Sequence, residues 1–163
     1  MQPPLRIVVE EEVDRMALAA VFGNEVASGQ VEILAGEGRS GAISLAELLL
    51  LQDPERPVAL VLDADRDDPE RLLTSARNIL ARIGDGDWHV AVAVPGLEQW
   101  FASVPDLKSA IESRSMTAGL AVLGKARVNR DSLRQVSKEF SEFDDFVRSE
   151  LAALQTANGV PAT

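Results

Sequence analysis

Three stretches of this 163-residue chain place carboxylates directly after apolar runs. They are Val8-Val9-Glu10-Glu11-Glu12-Val13-Asp14, Leu62-Asp63-Ala64-Asp65-Arg66-Asp67-Asp68, and Val94-Pro95-Gly96-Leu97-Glu98. Carboxylates held close together disfavour one another's ionised form, so a convergent cluster is costly without a cation. A hard divalent ion such as Mg²⁺ takes oxygen ligands of this kind. Each stretch alone has a structural explanation: Glu at a helix start complements the macrodipole, and Asp-rich turns often precede helices. The conjunction of all three on one edge of a sheet is the informative part.

A second feature is Ala35-Gly36-Glu37-Gly38-Arg39-Ser40-Gly41. Its chemistry resembles a phosphate-binding loop, with N–H groups of Gly36 and Gly38 at a helix start and Arg39 beside them. It has no Gly-Lys-Ser/Thr, and its G-x-G-x-x-G spacing follows the second strand rather than the first. A tight turn needing positive φ accounts for the same glycines. The chain has no cysteine and one histidine, His89. Disulfides, thiol catalysis and cysteine zinc sites are excluded, and a Ser-His-Asp triad would depend on His89 alone. His89 begins a strand at the end of the sheet opposite the acids, which favours a structural role.

The elements that must position these residues follow from periodicity. Leu5–Val9, Val31–Ala35, Val58–Leu62 and Val90–Val94 are short apolar runs. The last two are apolar throughout, as in strands buried on both faces of a parallel sheet. Between them, Val13, Met16, Ala17, Ala20 and Val21 predict a helix ended by Gly23. Leu45, Leu48 and Leu49 predict a second, capped by Ser40 or Ser44 and stopped near Pro54. Asp68 and Pro69 predict the start of a third, with Leu72, Leu73, Ala76, Ile79, Leu80 and Ile83 on one stripe and Gly84 at its end. The order βαβαβαβ predicts an α/β fold: an open, mainly parallel sheet of about four strands flanked by helices. Ligands of such sheets bind beyond the carboxyl ends of the strands, where the acids fall.

The C-terminal third reads as helical. Residues 106–126 have weak signals. From about Asp131 to Leu154 one amphipathic helix is expected, with Leu133, Val136, Phe140, Phe143, Val147, Leu151 and Leu154 on its stripe. That stripe suits packing on the chain's own sheet, with a homodimer contact as the alternative. Trp100 and Phe101 are expected to anchor the helix after Glu98. The expected organisation is a single domain over residues 1–155, with its core at 5–102, a helical extension at 103–155 and a frayed tail at 156–163.

Composition sets further bounds. Hydrophobic residues make up 46% and charged residues 26%, which suits a globular chain. No apolar run is long enough to span a membrane, and no secretory signal is visible. With no cysteine, a cytoplasmic location is expected. The formal charge of −10 lies entirely in residues 1–70, which carry 15 acidic and 5 basic residues. A broad acidic face repels nucleic acid unless cations intervene.

These pieces resemble the TOPRIM domain, the metal-binding phosphoryl-transfer module of topoisomerases, primases and OLD-family (overcoming lysogenization defect) nucleases. The likeness lies in Val8-Val9-Glu10 with Asp14 four residues on, and in Leu62-Asp63-Ala64-Asp65 after a buried strand. The OLD-type branch is also similar in Gly36–Gly41 and in Val94-Pro95-Gly96-Leu97-Glu98-Gln99-Trp100-Phe101. The resemblance covers about residues 5–102. It implies that Glu10, Asp14, Asp63, Asp65 and Glu98 hold one or two Mg²⁺ or Mn²⁺ ions, with Glu10 also a general base or acid. A basic residue is then needed for phosphate, and Lys125 is the choice, in the run Lys125, Arg127, Arg130, Arg134 and Lys138.

The implied function is a metal-dependent nuclease or nuclease subunit acting on nucleic acid, DNA in the first instance, with a separate ATPase partner. TOPRIM domains usually have Gly where this chain has Glu11, and that departure favours a second reading, a non-catalytic metal- or nucleotide-binding module of the same fold. A receiver-like phosphoacceptor fits less well, because no fifth strand carries the lysine it needs. A HAD-type phosphatase would need Asp-x-Asp after the first strand, which is absent.

Overall fold

A computed structural model describes residues 4–83, 86–114 and 128–157. Four strands, β1 (Leu5–Val9), β2 (Val31–Ala35), β3 (Val58–Asp63) and β4 (Trp88–Ala93), form one parallel sheet in the order β2-β1-β3-β4. Register pairs Ile7 with Ile33 and Ala59, and Leu60 with Val90. Every strand is followed by helical structure, as right-handed crossovers between parallel neighbours require. All four strands therefore end on the same edge.

Period-two alternation divides the strand side chains between two cores. Leu5, Ile7, Val9, Ala59, Val61, Ala91 and Ala93 face one layer. It is built by α1 (Glu12–Val21), a 3-10 turn (Leu97–Phe101), α5 (Pro105–Glu112), α6 (Arg130–Val136) and α7 (Lys138–Ala157). Val8, Val58, Leu60, Leu62, Val90 and Val92 face the other, closed by α3 (Arg39–Gln52) and α4 (Pro69–Ala81). Arg6 also lies on this second face, buried. Its guanidinium donates to Leu49 O at 3.0 Å, to Asp53 O at 3.1 Å and to Arg56 O, which satisfies carbonyls at the end of α3.

The expected start of α4 is present: Pro69 opens it and the Asp68 carboxylate accepts from Glu70 N at 3.0 Å. Its end is at Ala81, and Gly84 lies outside the described residues. Other boundaries differ from expectation. The helix α1 ends at Val21, just before Gly23 as expected, but Gly23 also opens a further short helix, α2 (Gly23–Ala27). The N-cap of α3 is Gly38 rather than Ser40 or Ser44, because the chain turns at φ 93° there. A helix also forms at Pro105–Glu112, where the sequence signal was weak.

The long C-terminal helix is two helices. Ser137 is extended at φ −131°, and its Oγ accepts from Phe140 N at 3.1 Å, which caps α7. A serine that bonds the following turn competes with continuous helix. The break resets the helical phase, so Val136 is half exposed while Leu133, Phe140, Phe143 and Val147 are buried on the sheet. Trp100 packs against Phe140 and Phe143 with ring centroids 5.4 and 5.5 Å apart. Leu133, Phe140, Phe143 and Val147 thus belong to the chain's own core. The helix runs to Ala157, and residues 158–163 are outside the described ones.

The same helix carries a fully buried carboxylate. Asp144 accepts from Arg130 at 2.6 Å and from Arg134 and Arg148 at 2.8 Å. Burial alone raises its pKa, but the hydrogen bonds from Arg130 and Arg134 outweigh it and hold the group below its ordinary value. Arg130 also pairs with Glu25 and lies 4.5 Å over the Phe22 ring. Asp144→Asn is expected to cost about 2–3 kcal/mol in urea denaturation. That is less than a fully desolvated network loses, because the guanidiniums reach solvent.

Candidate functional site

The carboxyl edge of the sheet is built by two local devices. After β1 the chain enters α1 at once, so Glu10 sits at the strand tip and Asp14 one turn into the helix. Asp14 occupies the third helical position, and its Oδ2 accepts from Glu11 N at 3.2 Å, one half of a capping box. After β2 the glycine turn folds back on β1: Gly36 N donates to Val9 O at 2.9 Å and Gly38 N to Glu10 O at 2.8 Å. The amides expected to face a phosphate therefore fasten the turn to the β1 tip.

Two glycines of that turn leave no room for a side chain. A Cβ on Gly41 would overlap Gly36 O, and one on Gly36 would overlap the backbone of Ala42. Gly41→Ala is expected to lower stability by about 1–3 kcal/mol, the usual cost of overpacking, read as a fall in the urea midpoint at unchanged slope.

The structure brings Glu10, Asp14 and Asp63 together. They are 7%, 2% and 3% exposed, values rare for carboxylates. A Glu10 carboxylate oxygen accepts from Asp63 N, and Asp63 Oδ1 accepts from Leu97 N at 2.8 Å. Desolvation dominates their titration. It raises Glu10 to about 7, against the backbone bond from Asp63 and with the help of the Asp63 charge. Asp14 is likewise raised to about 7, by burial first and then by Asp63. Asp63 is raised as well, by burial, against the hydrogen bond from Leu97 and the charge of Arg114.

Asp65 and Glu98 stand at the margin. Asp65 is exposed at φ 55°, and its N donates to Pro95 O at 2.6 Å. Glu98 is half buried and its carboxylate curls back over Gly96, close enough that a Cβ there would collide. Arg39 organises the β3 loop. Its guanidinium donates to Asp63 O at 2.7 Å and Ala64 O at 3.3 Å, lies 3.6 Å from Asp65 Oδ2, and pairs with Asp67. Arg39 is thus a positioning group for the acid loop.

Two participants were not legible in the sequence. Asp67 completes the grip on Arg39. Arg114, just after α5, reaches the buried acids: its guanidinium is 3.2 Å from Asp63 Oδ2 and 3.6 Å from Asp14 Oδ2. No motif marks it, because the pair with Asp63 spans 51 residues of chain. An open cavity of about 540 Å³ lies beside it, and among the described residues Glu11, Glu12, Val13 and Arg114 line it.

Lys125 and Arg127 lie outside the described residues. Arg130 and Arg134 are held by Glu25, Asp144 and Asp145, while Lys138 is exposed, with Glu142 3.9 Å away. His89 is stacked on Phe146 at 5.2 Å, with its pKa lowered by burial, at the amino end of β4.

Among the described residues no three His, Asp or Glu side chains are arranged as a ready metal cage. None of the helices there is long and apolar enough to cross a membrane. Asp14 Oδ1 is buried and has no hydrogen-bond partner. An orphaned carboxylate oxygen next to two more buried carboxylates fits a cation, which supplies what burial withholds. The edge thus joins an α/β scaffold to three desolvated acids, an orphaned acceptor and one bridging arginine, and no known protein family, curated protein or solved structure matches the chain.

Proposed function

We propose that this edge is a divalent-cation site for phosphoryl transfer, and that the chain is a Mg²⁺- or Mn²⁺-dependent nuclease or nuclease subunit acting on DNA. The observation that carries the reading is the burial of Glu10, Asp14 and Asp63 together at the strand tips, with Asp14 Oδ1 unsatisfied. Such burial is destabilising for the fold and is offset where a cation binds. When bound, a divalent ion neutralises and polarises a phosphodiester. Asp14 and Asp63 are the residues to hold it, with Asp65 and Glu98 at the rim.

The chain's own groups then divide the work. Glu10, poised near neutrality, is matched to taking up or giving back a proton at the reacting oxygen. Arg39 keeps the Asp63–Asp67 loop in place through backbone carbonyls and carboxylates. The net charge of −10 leaves little affinity for a DNA backbone, so a partner supplying DNA contacts, such as a separate ATPase subunit, belongs to the reading. Purified protein is expected to nick supercoiled plasmid weakly with Mn²⁺ and not with EDTA. Metal binding without nicking, under every metal tried, transfers the reading to a non-catalytic module. The observation that favours this second reading is Arg114, which already sits against Asp14 and Asp63.

A further inference from the structure

We infer that Arg114 is a built-in counter-cation that competes with the divalent ion for Asp14 and Asp63, so that the site alternates between an arginine-held and a metal-held state. The inference rests on the proposed metal site and deepens it by naming what sets the metal threshold. Three observations carry it. The guanidinium contacts both buried acids, at 3.6 Å from Asp14 Oδ2 and 3.2 Å from Asp63 Oδ2. Those acids are almost fully buried, whereas the Arg114 side chain is 43% exposed and lines the open cavity, so it has room to leave. Its fit is incomplete, because Asp14 Oδ1 has no partner with the arginine in place.

The physical logic is charge balance. A monovalent guanidinium between two desolvated carboxylates cannot neutralise both, and a third, Glu10, adds repulsion from β1. A divalent ion supplies more charge in less volume and takes oxygens at closer range. Arginine and metal cannot share Asp14 Oδ2 and Asp63 Oδ2 without bringing two cations into contact. Binding of the ion therefore requires Arg114 to withdraw toward the cavity, where Glu11 and Glu12 are acidic groups on the described lining. Arg114 is also held at φ 55°, a conformation that non-glycine residues keep only under constraint. The withdrawal costs the metal part of its binding energy, which lowers apparent affinity.

The test is Mn²⁺ binding by isothermal titration to the full chain and to Arg114→Gln and Arg114→Lys. Removing the competitor is expected to tighten Mn²⁺ binding about tenfold in Arg114→Gln, the scale of one charge pair lost from the metal-free state. Arg114→Lys, which keeps the charge, is expected to stay near wild type. Equal affinity in wild type and Arg114→Gln, or weaker binding in the variant, overturns the competition while leaving the metal site standing. No binding by either protein overturns the competition and the metal site together. A second readout uses wild-type protein, should Arg114→Gln fold poorly. The Arg114 side-chain Nε–H resonance, assigned by its loss in Arg114→Lys, is expected to shift and exchange faster with solvent as Mg²⁺ is added. A resonance unmoved at saturating Mg²⁺ overturns the inference.

Discussion

Asp63→Asn and Glu10→Gln are each expected to reduce Mn²⁺-dependent plasmid nicking by about 100-fold or more, the scale lost when one preorganised charge-stabilising group is removed. Both substitutions keep the side-chain volume. The new amide in Glu10→Gln still offers an acceptor to Asp63 N, and the one in Asp63→Asn still offers an acceptor to Leu97 N while giving up the bond from Arg114. What disappears is the negative charge. Removing one of three buried carboxylates relieves mutual repulsion, which in Asp63→Asn offsets the lost Arg114 pair. Stability is therefore expected to stay within about 1 kcal/mol of wild type in that variant and to hold or rise in Glu10→Gln, while activity falls in both. That divergence separates a functional acid from a structural one. Glu55→Gln, on an exposed loop before β3, is the control expected to nick like wild type. Equal nicking in wild type and both site variants would place the activity elsewhere.

The second large effect is on stability as pH and metal vary. Glu10 and Asp14 titrate near 7 in the fold, against ordinary values of 4.5 and 3.8. Between those limits the native state binds more protons than the unfolded chain. Stability therefore falls as pH rises from about 4 to about 7, and levels off above. Taken singly, each group contributes about 3–4 kcal/mol, on the order of 1.4 kcal/mol per pKa unit, and because the two are coupled their contributions do not simply add. Divalent metal reverses the trend, because it binds the ionised native site and not the unfolded chain. At a hundredfold excess over Kd, Mg²⁺ is expected to raise Tm by about 5–10 °C at pH 8 and by about 2 °C or less at pH 5, where protons hold the site. Asp63→Asn is expected to flatten the pH 8 response. A Mg²⁺ shift of equal size at pH 5 and pH 8 would show that the ion binds outside these acids.

Several features of this chain were determined by short-range rules and were legible in its residues. The four apolar runs became the four parallel strands, since hydrophobic runs of that length between helical segments have few other ways to be buried. Asp68 and Pro69 opened α4 because a cap and a fixed φ act within one turn. Glu10, Asp14 and Asp63 met at one edge because parallel strands share a direction, so every strand tip falls on the same side.

Other features depended on contacts that only the folded chain makes. Ser137 could sit inside a continuous amphipathic stripe, and its choice to cap α7 follows from how Phe140 and Phe143 dock beneath Trp100. Arg39 stands beside a glycine turn that reads like a phosphate loop, yet the β3 loop lies within reach and claims it. Asp144 looks like one more surface acid until α6 and α7 bring three arginines to it. Arg114 carries no local signal at all. Its partners, Asp14 and Asp63, are set by where α5 ends against the strand edge, and side-chain charge pairs at such separations are chosen by tertiary geometry rather than by sequence spacing.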